Sequence, residues 1–290
     1  MSSPPVRVER HESELGCWTH AVRPADPRLG SLVASSYVGF VETSASFQSW
    51  LLPPRPRATL ILNLGEAFGG LPDAFVAGLG DHPSIVERGP AMTMVDLKLT
   101  PLGAYTLVGL PMHELTNEVR DLGELFGAPG RRLLDALRAA PTWDERFDLL
   151  DGFLVRRAEG GPEPAPAVRW AWTRLVETGG RLAIGELAHE VGWSHRHLIA
   201  RFRAELGLPP KRLARIIRFG LLLRRLDGPE PGDWADLALD SGYYDQAHLD
   251  RDFRELAGTT PTDYVSRHVR GGDAIGDGVN SIQDAAAPVA

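Results

Sequence analysis

The sequence predicts an α+β chain: a β-rich N-terminal region that forms a small barrel or sandwich, helices after it, and an all-α C-terminal region. Three observations predict it. Residues 31–99 hold short, β-branched segments separated by Gly, Pro and Asp, the pattern of strands and turns. From Thr100-Pro101 onward, apolar residues recur at helical spacing. Near the C-terminus one helical pattern occurs twice, at residues 186–210 and 236–261.

Residues 1–14 contain no apolar run of the kind a secretory signal needs and are expected to be a flexible N-terminus. Within 15–100, "SLVASSYVGFVET" (31–43), "ATLILNL" (58–64), "AFVAGL" (74–79) and "AMTMVDLKL" (91–99) read as strands. Residues 101–158 read as a helical connector. Thr100 can cap a helix whose first residue is Pro101, and residues 113–127 and 130–158 continue the helical period. Leu115, Val119 and Leu122 form one apolar stripe there that could pair two chains or pack internally. "EGGPEPAP" (159–166) reads as a linker, with Gly or Pro in five of eight places. Helices are expected across 167–270, and a Gly- and Ala-rich disordered tail across 271–290.

No apolar run approaches the about 18 residues of a membrane span. Cys17 is the only cysteine, which excludes an internal disulfide or thiolate cage and suits a reducing cytoplasm. The net charge of −7 conceals an asymmetry. Residues 167–226 carry 12 Lys and Arg against 4 Asp and Glu, whereas 227–270 carry 4 against 10. A basic stretch in an acidic chain is the electrostatic footprint of an anionic partner.

The duplicated pattern says which partner. Leu187-Ala188 matches Leu237-Ala238, and Gly192-Trp193 matches Gly242-Tyr243. With one extra residue in the second turn, His197-Leu198 falls on His248-Leu249, and Phe202, Arg203, Gly207 and Pro210 fall on Phe253, Arg254, Gly258 and Pro261. Each copy has an apolar helix, a glycine at the reversal, an N-capping residue (Ser194, Asp245) and a second helix, the pattern of a helix-turn-helix. Residues 209–226 between them read as one helix of about 26 Å, able to hold the second helices roughly one duplex turn apart. Leu198, Phe202, Leu249 and Phe253 face the core; Arg196, Ala200, Arg203, Ala247, Arg251 and Arg254 point away, with Ile199 and Asp250 at the edges and Gln246 at the helix start. His195 and His197, two apart, diverge by about 200° and cannot share a metal on one helix.

These residues resemble the DNA-binding domain of AraC/XylS-type transcriptional regulators, in "LAHEVGWSHRHLIARFRAELGLPPKRL", "RIIRFGLLLRRL" and above all "LALDSGYYDQAHLDRDFRELAGTTPTDY". The resemblance covers about 100 residues. It implies that Arg196, Ile199, Ala200, Arg203, Gln246, Ala247, Arg251 and Arg254 face double-stranded DNA in the major groove. Arginine suits guanine, and Gln suits adenine. Ser194, His195, Arg201, Lys211, Arg212, Arg215 and Arg218 are expected to meet phosphates. The acidic second unit leads us to expect the first to supply most of the affinity.

The N-terminal region resembles more loosely the cupin-like β-rich sensor half of such regulators, in "TLILNLGEAF", "FVAGLGDHPSIVERG" and residues 95–127. That resemblance implies a small-molecule effector or dimerisation. Trp18, Tyr37, Phe40, Trp50 and Arg88 are candidates to line an effector pocket, though core packing is the more ordinary role of such aromatics. No metal or other cofactor is expected: the histidines of this region are isolated in sequence, and no G-x-S-x-G, P-loop or G-x-G-x-x-G stands in a fitting context. The expected function is therefore a cytoplasmic DNA-binding regulator with no catalysis, whose further partners are an effector, RNA polymerase and a second copy. A cupin-type enzyme with a helical appendage, and a sensor whose helices bind protein, are the competing readings.

Overall fold

Alternation of inward apolar and outward polar residues builds the N-terminal sheet. A computed structural model describes residues 4–13, 16–44, 48–66, 70–88, 91–226 and 233–266. Nine strands occur there: β1 (Arg7–Ser13), β2 (Gly16–Arg23), β3 (Tyr37–Ser44), β4 (Gln48–Leu52), β5 (Ala58–Asn63), β6 (Ala74–Ala77), β7 (Ser84–Arg88), β8 (Ala91–Leu99) and β9 (Val119–Asp121). Seven pair antiparallel in the order β1-β2-β3-β8-β5-β6-β9, and β4 pairs with β7 as a separate ribbon. Among the described residues no strand pairing joins the two into a closed ring.

Side chains alternate across the seven-stranded sheet, as period-2 geometry requires. Ala21, Tyr37, Leu60, Leu62, Leu97 and Leu99 fall on the face that joins the main core. His20, Phe40, Met92 and Met94 lie on the opposite face, where Phe40 and the two methionines make a smaller apolar cluster with Trp18 and Ile61.

The helices are α1 (Pro101–Val108), α2 (Leu122–Phe126), α3 (Ala128–Ala139), α4 (Trp143–Gly160), α5 (Pro166–Glu177), α6 (Ile184–Glu190), α7 (His195–Leu206), α8 (Pro210–Leu226), α9 (Trp234–Asp240), α10 (Gln246–Ala257) and α11 (Pro261–Tyr264). Thr100 caps α1 by accepting from the Gly103 amide, with Pro101 at the first position. A buried ionic knot fixes α4 to the sheet. The Arg23 guanidinium, 1% exposed, donates to Asp148 at 2.6 Å and Asp151 at 2.7 Å. Asp151 also accepts from the Tyr37 hydroxyl at 2.6 Å and the Asp26 amide at 2.9 Å. A buried carboxylate with three donors is satisfied; removing one would strand it. Burial, and then the bond to Asp151, push the Tyr37 phenol well above its ordinary pKa. No helix among the described residues is long and apolar enough to cross a membrane.

Several expectations change. Residues 7–13, expected to be flexible, form β1 at the sheet edge, paired with β2 in full register. Their charged sequence hides a strand because an edge strand buries little, and charge there discourages further pairing. The stretch expected as a strand from residue 31 begins pairing as β3 only at Tyr37. The helix expected over 113–127 is a 3-10 turn at Met112–Leu115, then β9, then the short α2. Asn117 adopts φ +60°, which breaks any helix. Leu115 and Leu122 are buried while Val119 is exposed on β9, so these three form no stripe for a second chain. The expected linker shrinks to 161–165, and its last amide, Ala165, donates to Glu205 of α7 at 2.7 Å. The tail 271–290 lies outside the described residues.

Candidate nucleic-acid interface

The two units are built by the same local chemistry. In the first, Gly192 (φ +70°) turns the chain after α6, and the Trp193 amide donates to Ala188 O at 2.9 Å. In the second, Gly242 (φ +81°) does this after α9, and the Tyr243 amide donates to Ala238 O at 2.9 Å. Positive φ is why glycine stands at both reversals. Ser194 then caps α7 by accepting from the His197 amide, and Asp245 caps α10 by accepting from the His248 amide. Each histidine stands edge-on to its turn aromatic: His197 to Trp193 at 4.5 Å, His248 to Tyr243 at 5.2 Å. Both rings therefore brace the turns. His195 is exposed at the first position of α7.

Core anchors fix which way each helix faces. Leu198, Phe202 and Leu206 are fully buried on α7, as are Leu249, Phe253 and Leu256 on α10. Phe253 packs edge-on to Phe219 of α8 at 5.0 Å and to Tyr264 at 5.5 Å. On the far side Arg196, Ala200 and Arg203 are exposed at i, i+4 and i+7, with Ile199 half-buried beside them. Ala247, Arg251 and Arg254 are exposed at the matching positions of α10, with Gln246 at its start. One row reads Arg-Ala-Arg and the other Ala-Arg-Arg, so the units carry their cations at different heights along the helix.

Two acids of the second unit, Asp252 and Glu255, are withdrawn from that face. The Asp252 carboxylate, 2% exposed, pairs with Arg215 of α8 at 2.7 Å. Glu255 pairs with Arg215 at 2.5 Å and also with Arg212. The hydrogen bond from Arg215, then that from Arg212, hold the Glu255 carboxyl down at about 2. Burial by itself would lower Arg215, but hydrogen bonds to Glu255 and Asp252 outweigh it and raise its pKa.

These pairs alter the picture of the basic run. Arg212 further binds the Asp81 carboxylate at 3.2 Å and the Asp81 carbonyl. Arg218 lies 5.2 Å over the Tyr243 ring and donates to Gly242 O at 3.4 Å. Arg201 pairs with the buried Glu205 at 2.5 Å. Arg201, Arg212, Arg215 and Arg218 thus spend their guanidiniums on the protein itself, whereas Ser194, His195 and Lys211 are exposed. No sequence signal marked the Asp81 contact, because its partner lies 131 residues away. Asp81 is held in place by Asn117, which donates to it at 3.0 Å and accepts from its amide at 2.9 Å. A second tie joins the regions where Thr116 donates to Gly207 O at 2.9 Å.

The effector candidates do not share one surface. Trp18 and Phe40 lie on the smaller-cluster face of the sheet. Tyr37, three residues before Phe40, points to the opposite face and is consumed by Asp151. The side chains of Trp50 and Arg88 lie outside the described residues. Among the described residues no group of three or more His, Cys, Asp or Glu could hold a metal ion.

Residues 187–267 match the family model of a helix-turn-helix domain. No curated protein matches the chain. Among solved structures, the C-terminal domain of AraT, a response regulator from Geobacillus stearothermophilus, is 22% identical over 37% of this chain and 89% of its own, with a TM-score of 0.34. ToxT from Vibrio cholerae is 13% identical over 91% of this chain and 98% of its own, with a TM-score of 0.38. ToxT bound to an unsaturated fatty acid is 12% identical over 77% and 96%, with a TM-score of 0.39. Likeness at these scores does not discriminate one fold from another, so the assignment stands on the matched residues and the duplicated turn. Residues 187–267 are a helix-turn-helix DNA-binding domain of the AraC type, the part of a transcriptional regulator that holds DNA.

Proposed function

We propose that the chain regulates transcription by gripping two successive major-groove segments of double-stranded DNA with α7 and α10. One observation carries this: both helices bury their apolar side and turn an exposed row of arginine and alanine outward, joined by Gln246 on α10, while Asp252 and Glu255 of α10 are neutralised behind it by Arg215 and Arg212. Arg196, Ile199, Ala200 and Arg203 would read or straddle bases in the first unit, and Gln246, Ala247, Arg251 and Arg254 in the second. Arginine forks match guanine O6 and N7, and small alanines admit the helix backbone or a thymine methyl. Ser194, His195 and Lys211 are the phosphate contacts this geometry favours. Arg201, Arg212, Arg215 and Arg218 are better read as internal braces.

The chain works where its DNA lies, in the cytoplasm, and acts by binding. A small-molecule effector would sit against the Trp18 and Phe40 face of the sheet. Its signal would reach α8 through the Asp81–Arg212 contact, with a second copy and RNA polymerase as further partners. The test is fluorescence anisotropy of the purified chain on duplexes it selects from a randomised pool. Sequence-dependent binding whose log affinity falls linearly with log salt, by about 0.9 per phosphate neutralised, supports the reading. Equal affinity for every duplex, or none for any, overturns it.

A further inference from the structure

The second unit carries one side chain that has no counterpart in the first and lies outside the recognition rows. The turns match from glycine to aromatic, and the caps and helices match after that. Between them the first unit goes directly from Trp193 to its cap Ser194, while the second inserts Tyr244 before its cap Asp245. The neighbouring Tyr243 is 3% exposed, but Tyr244 is 86% exposed. Among the described residues no hydrogen bond or ring contact engages this ring.

The caps also differ in charge. Ser194 is neutral, so a phosphate can approach the start of α7 directly, next to His195. Asp245 carries a carboxylate at the same place on α10, which repels a phosphate at short range. We propose that Tyr244 is the phosphate contact of the second unit: its neutral phenol reaches past the Asp245 carboxylate and donates to a backbone oxygen. It precedes the cap and therefore stands off the row of Ala247, Arg251 and Arg254, at the edge of the recognition surface, where contacts position the duplex and carry no sequence information. This rests on the DNA-binding reading.

The full chain, Tyr244→Phe and Tyr244→Ala are compared by anisotropy on a duplex selected by the unmodified chain and on a shuffled duplex of equal composition. Loss of one hydrogen bond to a charged oxygen predicts a weakening on the order of 10-fold for Tyr244→Phe on both duplexes. The slope of log affinity against log salt stays unchanged, because a phenol displaces no counterion. The thermal midpoint also stays unchanged, since the ring is exposed. Undiminished binding by Tyr244→Phe overturns the proposal, even if Tyr244→Ala binds worse. A loss confined to the selected duplex also overturns it and makes Tyr244 a base contact, and a fall in thermal midpoint makes it structural. If the unmodified chain binds neither duplex, the DNA reading itself fails, and this proposal with it.

Discussion

Replacing Arg215 by alanine separates a brace from a DNA contact. The Arg215 guanidinium is 22% exposed and, among the described residues, is the one partner of the Asp252 carboxylate, itself 2% exposed, whose second oxygen has no hydrogen bond. Arg215→Ala leaves that charge buried and unpaired, at a cost of about 3–5 kcal/mol. With a slope of about 3 kcal/mol per M of urea, the upper end of the range because the slope grows with chain size, the unfolding midpoint should fall on the order of 1–2 M. Replacing both partners by apolar residues, Arg215→Met with Asp252→Leu, should recover most of the loss, because a buried ion pair gains little over a well-packed apolar pair. Urea unfolding followed by tryptophan fluorescence reads both variants. Binding by the folded double variant should keep the salt slope of the unmodified chain. The reasoning is refuted if Arg215→Ala unfolds like the parent while its salt slope drops by about 0.9, the signature of a lost phosphate contact.

Arg203→Ala should weaken binding to the selected duplex by about 1–3 kcal/mol with no change in thermal midpoint, and by more than Arg251→Ala does; equal losses would contradict dominance of the first unit. The Glu255 carboxyl, held at about 2 against an ordinary 4.5, stabilises the fold fully above pH 4.5 and loses that contribution as pH falls toward 2. Because the side chain is 47% exposed, solvent screening leaves about 1 kcal/mol. Relative to Glu255→Gln, the parent's urea midpoint should therefore decline across that window and be flat above it. Gly180→Ala should destabilise the DNA-binding part by at least about 1–3 kcal/mol. Its backbone has φ +72°, and an added Cβ would stand 2.1 Å from the Ala214 carbonyl of α8; an unchanged melting curve would count against that packing.

Much of the interface could be read in the sequence because its determinants are local. Glycine reversals, Ser194 and Asp245 caps, and the spacing of Leu198 with Phe202 and of Leu249 with Phe253 act within one helical turn. The N-terminal sheet was harder to read. Strand β1 carries charge instead of an apolar face, and Leu115, Val119 and Leu122 fit a helical period while belonging to a turn, a strand and a short helix. Periodicity over so few residues cannot distinguish these outcomes.

By itself the sequence determined the duplicated helix-turn-helix, its caps and the direction in which each second helix faces, since helix geometry converts spacing directly into facing. Only the tertiary structure decided how the charges are spent. Whether Arg215 meets a phosphate or Asp252, whether Arg212 is free or clasped by Asp81, and which side of the sheet Tyr37 occupies depend on groups 37, 131 and 114 residues distant. The physical reason is that electrostatic pairing follows separation in space and burial, and a linear order of residues contains neither.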